Sequence, residues 1–227
     1  MRTTIALATI AAALVGSATA VPLDAITCTG QEIVGHLVVR NPDGSTHAAA
    51  FVQGDSDAQG RLKLSTKFNG VPSPKYAQFA AQICSSNEYI YGKRDKRQNG
   101  GQQTLTGFIS PNNHRNKALT VTGSALSGSN SNSVFDVVSD TKASTTKFTN
   151  QAVNQWWTLY NNGSFYSLAY TGTEAGPTAD PYFAPLTQRS ADGQDIFVKI
   201  KSAGSGASDF PGWANYYGYS LELHPSS

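Results

Sequence analysis

The 227-residue sequence is poor in charge: Asp, Glu, Lys and Arg make up 14% of it, and 17 basic residues face 15 acidic ones. That near-balance excludes the bulk electrostatic attraction by which nucleic acids and anionic membranes hold a protein, because both need a marked positive excess. No window carries a sustained apolar stripe at helical spacing, which argues against a helix bundle. After residue 20 no segment is long and apolar enough to span a bilayer, which takes roughly 20 residues. Histidine is scarce: His36, His47, His114 and His224 are scattered, and none forms His-x-x-x-His, so no metal site is expected. There is no Gly-x-Ser-x-Gly elbow, no phosphate-cradling loop and no dinucleotide fingerprint, so no cofactor is expected. Cysteine is limited to Cys28 and Cys84.

What is present begins at the N-terminus. Arg2 supplies a positive n-region, Ile5 to Val15 an apolar h-region, and Ala18-Thr19-Ala20 a small-x-small cleavage pattern. Together these read as a secretory signal peptide over residues 1–20, leaving residues 21–227 as an exported chain. Its length fits one all-β domain. Without Arg2 the positive excess falls to one. In an oxidising compartment two lone cysteines are most simply one disulfide, worth about 4 kcal/mol for a loop of this length on the chain-entropy model. Asn162-Gly163-Ser164 is the one N-glycosylation sequon, expected on a surface turn of a glycoprotein.

Short alternating or β-branched runs recur along the chain, each bounded by Gly, Pro, Asn, Asp or Ser. Strands are expected at 33–40, 47–53, 61–67, 77–84, 89–91, 104–110, 118–122, 134–139, 156–160, 165–170, 182–186, 196–201 and 219–223, with a helical turn around 148–153. Asn41-Pro42-Asp43-Gly44 is a tight turn between the first two. Polar stretches at 92–103, 123–133 and 172–181 read as long loops. The first holds Lys93-Arg94-Asp95-Lys96-Arg97, a solvated charge run or else a dibasic processing site or anion patch.

Residues 107–157 carry an ordered set of features. Gly107-Phe108-Ile109 is followed by Lys117-Ala118-Leu119-Thr120-Val121, then Phe135-Asp136-Val137-Val138, then Asn154-Gln155-Trp156-Trp157. This order resembles one module of the ricin B-type β-trefoil lectins, with Gly-x-Ile, Lys-Cys-Leu-x-Val and Asn-Gln-x-Trp in sequence. A poorer echo runs from Gly35 to Cys84, with Gln82-Ile83-Cys84 at the Gln-x-Trp position; a third module falls within residues 165–223. The resemblance implies a β-trefoil-like barrel, with a two-sheet β-sandwich as the alternative. It implies that Trp157 fills the core, and that Cys28 and Cys84 lie on neighbouring strands. In galactose-binding modules of that family a carboxylate, an aromatic platform and the Asn of Asn-Gln-x-Trp hold the sugar. Asn154 matches the amide. Thr120 stands at the carboxylate position, expected at the module's mouth, and the platform falls near Val138.

A second candidate site lies in Asp209-Phe210-Pro211-Gly212-Trp213-Ala214-Asn215-Tyr216-Tyr217-Gly218-Tyr219. Aromatic faces beside amide and carboxylate groups suit carbohydrate or protein contact, with Trp213, Asn215, Tyr216 and Asp209 as the ligand-binding residues. The pairs Asp55/Asp57 and Asp192/Asp195 have the composition of acid–base pairs but sit in turn contexts, and Glu32/His36 share a strand face. The sequence thus points to a secreted, non-catalytic, all-β protein that recognises carbohydrate. The alternatives are a protease inhibitor or effector that binds an extracellular protein, and a secreted hydrolase.

Overall fold

Burial alternates most clearly over residues 35–40, where Gly35, Leu37 and Val39 are buried and His36, Val38 and Arg40 are not, whereas other strands bury consecutive residues on both faces. The computed structural model describes residues 26–41, 43–66, 75–86, 104–122, 134–146, 149–170, 183–189, 195–202 and 220–226. Among them are β1 (Ile26–Arg40), β2 (Thr46–Ser56), β3 (Leu62–Ser65), β4 (Gln78–Ser86), β5 (Thr104–Pro111) and β6 (Lys117–Val121). Then come β7 (Val134–Thr141), α1 (Asn150–Val153), β8 (Trp157–Asn161), β9 (Tyr166–Tyr170), β10 (Phe183–Arg189), β11 (Asp195–Ser202) and β12 (Ser220–Pro225). The strand expected at 89–91 and the 93–97 charge run lie outside the described residues, as do residues 1–25.

Pairing closes a ring. β1 pairs β12, β12 pairs β9, β9 pairs β8, β8 pairs β5, β5 pairs β4, and β4 returns to β1, all antiparallel. The other six strands form the hairpins β2–β3, β6–β7 and β10–β11. These hairpins also meet one another, through β3–β7, β7–β11 and β3–β11. Each run of four strands gives its first and last to the barrel and its middle two to a hairpin. Three such modules make the β-trefoil arrangement, and ring closure rules out the two-sheet sandwich.

The barrel interior explains two glycines. Trp157 on β8 lies opposite Gly107 of β5 and Tyr170 of β9. Phe79 on β4 lies opposite Gly35 of β1 and Pro111 of β5. The two aromatics therefore hold the same place in consecutive modules. A Cβ on Gly107 would collide with the carbonyl oxygen of Gln82, and one on Gly35 with that of His224. This pairing corrects the first-module echo: Phe79, not Cys84, matches Trp157. Phe79, Trp157 and Leu221 are all buried in one core with Leu37, Leu64, Ile109, Leu119 and Leu159.

The third module slips. Pro225, four residues after Leu221, pairs with Gly35 as Ile83, four after Phe79, pairs with Gly107. Leu221 thus corresponds to Trp157. Asn161, four after Trp157, pairs with Tyr166, so Tyr166 stands where the other modules have glycine. Yet Leu221 pairs with Leu168, and Tyr166 with Leu223, a shift of two residues from the other modules.

A second cluster packs outside the barrel. Ile26, Cys84, Phe108, Ala143, Ala152 and Trp156 are buried together, against the half-buried Cys28. Phe108 and Trp156 meet edge to face with centroids 5.3 Å apart. Trp156 and Trp157 are neighbours in sequence, yet they belong to different cores. Cys28 and Cys84 face each other across the β1–β4 ladder and are disulfide-bonded over a sequence separation of 56. The ladder is irregular between Cys28 and Glu32, where Gly30 adopts φ +78°. Beyond that bulge β1 pairs β4 again from Ile26 to Cys28, where the disulfide joins them, so the described strand starts ahead of the expected residue 33. Among the described residues no helix is long and apolar enough to cross a membrane.

Candidate binding sites

The Gln-x-Trp triplet of the second module is a structural lock. Thr149 caps α1, its hydroxyl accepting from Ala152 N at 3.3 Å, and the short helix delivers Gln155 into the interior. The Gln155 Oε1 accepts from Ala143 N at 2.7 Å, and its Nε2 donates to Thr141 O at 2.7 Å and to Thr120 Oγ1 at 3.0 Å. Trp157 Nε1 donates to Leu119 O at 2.9 Å. An amide and an indole that water cannot reach are thereby satisfied, which a buried polar group requires. Trp157 is in the core, as expected.

The sugar-site positions of that module are closed. Thr120 does not face a mouth: it is 3% exposed and donates to Ala118 O at 3.0 Å. A hydroxyl is small enough to be held by Gln155, where a carboxylate at the same place would need a cationic or solvent partner. Val138, at the platform position, is fully buried. Asn154 ends α1, and its Oδ1 accepts from Tyr170 Oη at 3.4 Å. Its backbone oxygen accepts from Val121 N at 2.9 Å. The amide is present, but among the described residues no carboxylate bonds to it and its aromatic partner, Tyr170, is buried.

Trp213, Asn215, Tyr216 and Asp209 lie outside the described residues, in the connection between β11 and β12. Asn162 sits on the exposed β8–β9 turn, where its N–H bonds Phe165 O at 2.9 Å and its Nδ2 donates to Ser167 Oγ at 2.6 Å. Asp57 performs turn chemistry: it accepts from Gln59 N and Arg61 N, and Arg61 ties it to Asp140. Burial alone would raise the Asp57 pKa, but these bonds and the Arg61 charge outweigh it and hold it below the ordinary value. Glu32 pairs with Arg115 at 2.9 Å, while His36 Nδ1 bonds Ala77 O at 3.2 Å, so the two do not act on each other. Among the described residues no group of three His, Cys, Asp or Glu side chains has the arrangement of a metal site.

One constellation was missed in the sequence. Glu222 on β12 is 1% exposed and receives four hydrogen bonds. Arg40 Nε donates to Oε1 at 2.7 Å and Nη2 to Oε2 at 3.0 Å; Ser220 Oγ donates to Oε1 at 2.9 Å and His224 Nε2 to Oε2 at 2.7 Å. Burial would raise the carboxyl's pKa, but the bonds from Arg40, His224 and Ser220, with the Arg40 charge, bring it below the ordinary value. The Arg40 pKa is raised in return, first by its hydrogen bond to Glu222. The Phe165 ring stacks on His224 with centroids 5.3 Å apart and planes at 9°, and Arg40 lies 5.3 Å from the Phe165 centroid. The signal was legible as period two, Ser220-x-Glu222-x-His224 between Leu221 and Leu223. Its partner Arg40 lies far away in sequence.

No protein-family model matches the chain, and no curated protein or solved structure is significantly similar to it.

Proposed function

We propose that this chain is a secreted, non-catalytic binding protein that recognises carbohydrate, belonging with the ricin B-type lectins it resembles. The observation that carries the reading is the Gln155-x-Trp157 lock within a trefoil ring: the residues that resemble the lectin signature do the scaffold's work, bonding Thr141, Ala143 and Leu119. The signal-like leader and the disulfide support export.

The second module's sugar pocket is lost in this reading, because Thr120 and Val138 are buried. Recognition falls to loops on the rigid barrel, with the aromatic-rich 209–219 segment as the sequence candidate. The test is a glycan array on the purified protein, followed by titration of a hit against Trp213→Ala and Asn154→Ala. Loss of one stacking contact in Trp213→Ala should cost about 1 kcal/mol, hence several-fold in affinity. Asn154→Ala should bind as the parent does. The opposite pattern would return the site to the second module, and a folded parent that binds no glycan would favour the protein-binding reading.

A further inference from the structure

The outer face of β1, β12 and β9 carries side chains that the trefoil does not need. Leu37 and Val39 on β1, and Leu221 and Leu223 on β12, are fully buried in the barrel. Their alternate neighbours therefore point outward. The register sets His36 opposite His224, Val38 opposite Glu222, and Arg40 opposite Ser220. Ser167 of β9 flanks Glu222 on the other side, and Phe165 stacks on His224. One imidazole, a guanidinium and an aromatic ring are thus gathered around one buried carboxylate, and His36 lies across the ladder from His224 with its ring bonded to Ala77 O.

Glu222 is not the ligand group. Its two oxygens already accept four hydrogen bonds and its side chain is 2% exposed. It is a positioning residue. Because it is ionised, His224 Nε2 must carry the proton it shares with Oε2, which leaves Nδ1 for another partner. His36 spends Nδ1 on Ala77 O, which leaves Nε2. Arg40 and His224 keep 34% and 35% of their side-chain surface open, and His36 is exposed.

The charge balance of the face is set by few groups. The Arg40 charge is matched by Glu222. β4 contributes Gln78 opposite His36 and no charge, β9 contributes Ser167, and the β8–β9 turn contributes Phe165. β2 contributes Thr46 and Ala48 beside Arg40 and Val38. The β1–β2 turn holds Asp43, whose carboxylate accepts from the N–H and hydroxyl of Ser45, and His47 follows on β2. Each proton gained by His36 or His224 is therefore an excess positive charge next to an aromatic surface.

We propose that this face is a binding site for an acidic saccharide, its anionic group held between His36, His224 and Arg40 and the apolar edge of its ring against Phe165. The saccharide part rests on the function proposed above; the anion part rests on the face itself. Binding strengthens in acid, because the imidazoles supply the uncompensated charge, and it weakens with salt.

The experiment is calorimetric titration of the full exported chain with three probes: an oligogalacturonate, a sulfated dextran oligosaccharide and a neutral oligogalactoside. Each is measured near pH 5 and near pH 8, roughly the ends of the range over which imidazoles gain a proton. At least one acidic probe should bind about tenfold more tightly at the lower pH, roughly what one charge-assisted hydrogen bond confers. Comparing the two acidic probes tells whether carboxylate or sulfate is preferred. The double variant His36→Gln, His224→Gln keeps an amide that can donate to Glu222, so its melting temperature should stay near the parent's while the acid-enhanced affinity disappears. Parent-like acid enhancement in that folded variant overturns the proposal. So does equal binding of the neutral probe at both pH values with no acidic binding, which leaves carbohydrate recognition standing at another site. A parent that binds none of the probes, and nothing on the array, overturns both readings.

Discussion

At the scale of single residues, the polar groups that matter most are those that water cannot satisfy. Gln155 and Glu222 illustrate the two solutions. Gln155 is neutral and is held by backbone and a hydroxyl; Glu222 is charged and is held by Arg40, His224 and Ser220. Replacing Glu222 with Gln removes a charged acceptor from a donor set built for it and should cost about 1–3 kcal/mol of stability. The pH dependence follows from the lowered carboxyl pKa. A group whose folded-state pKa lies below its unfolded value adds stability that is fully present above the unfolded value, about 4.3 for glutamate, and is lost as pH falls toward the folded one. The parent should therefore lose melting temperature below about pH 4.3, and Glu222→Gln should lose less across that acidic window. Parallel thermal melts from neutral to acidic pH read both effects. Equal acid slopes would mean that Glu222 is not a carboxylate whose folded-state ionisation matters.

At the scale of elements, strands were easier to read than modules. Turn chemistry marks strand ends: Asp57 and Gly60 close the β2–β3 turn, and Asn162 and Gly163 the β8–β9 turn. The helical turn was legible too, with α1 at Asn150–Val153 inside the expected 148–153. The first module resisted alignment because Phe79 replaces the tryptophan and Ala77 stands where Gln155 would be, so only position, not chemistry, is repeated. The third is not evident in the sequence because Tyr166 stands in place of the opening glycine and the register moves by two. The Arg40–Glu222 pair was illegible for a different reason: ring closure, not sequence, puts β12 beside β1.

The glycines give an element-level test. Gly107 has φ +150° and no room for a Cβ, because the Gln82 carbonyl of the neighbouring strand occupies it. Gly163 has φ +87° but nothing near the place a Cβ would take. Gly163→Ala should cost about 1 kcal/mol from backbone strain alone. Gly107→Ala adds overpacking against a ladder that cannot move without opening the β4–β5 pair, and should cost about 2–4 kcal/mol in all. Urea denaturation of the two variants ranks them; equal costs would mean that the β4–β5 ladder yields at that point.

At the scale of the whole molecule, the question is what keeps the ring closed. The three modules join through β4–β5, β8–β9 and β12–β1, and each joint is made of backbone hydrogen bonds over a shared core. The disulfide lies within the first module, between β1 and β4, and bridges none of those joints. It acts on the barrel chiefly by shortening the unfolded chain, and it also contributes Cys84 to the outer cluster with Phe108 and Trp156. Replacing both cysteines with Ser should therefore lower stability by about 2–4 kcal/mol while the ring still forms. The urea midpoint should fall. The slope should rise modestly, because the uncrosslinked chain exposes more surface when it unfolds. Far-ultraviolet dichroism at low urea should remain that of the parent. A variant that loses its β signal in the absence of denaturant would show that the β1–β4 pairing within the first module depends on the covalent bond, and that the ring cannot close by strand pairing and core packing alone.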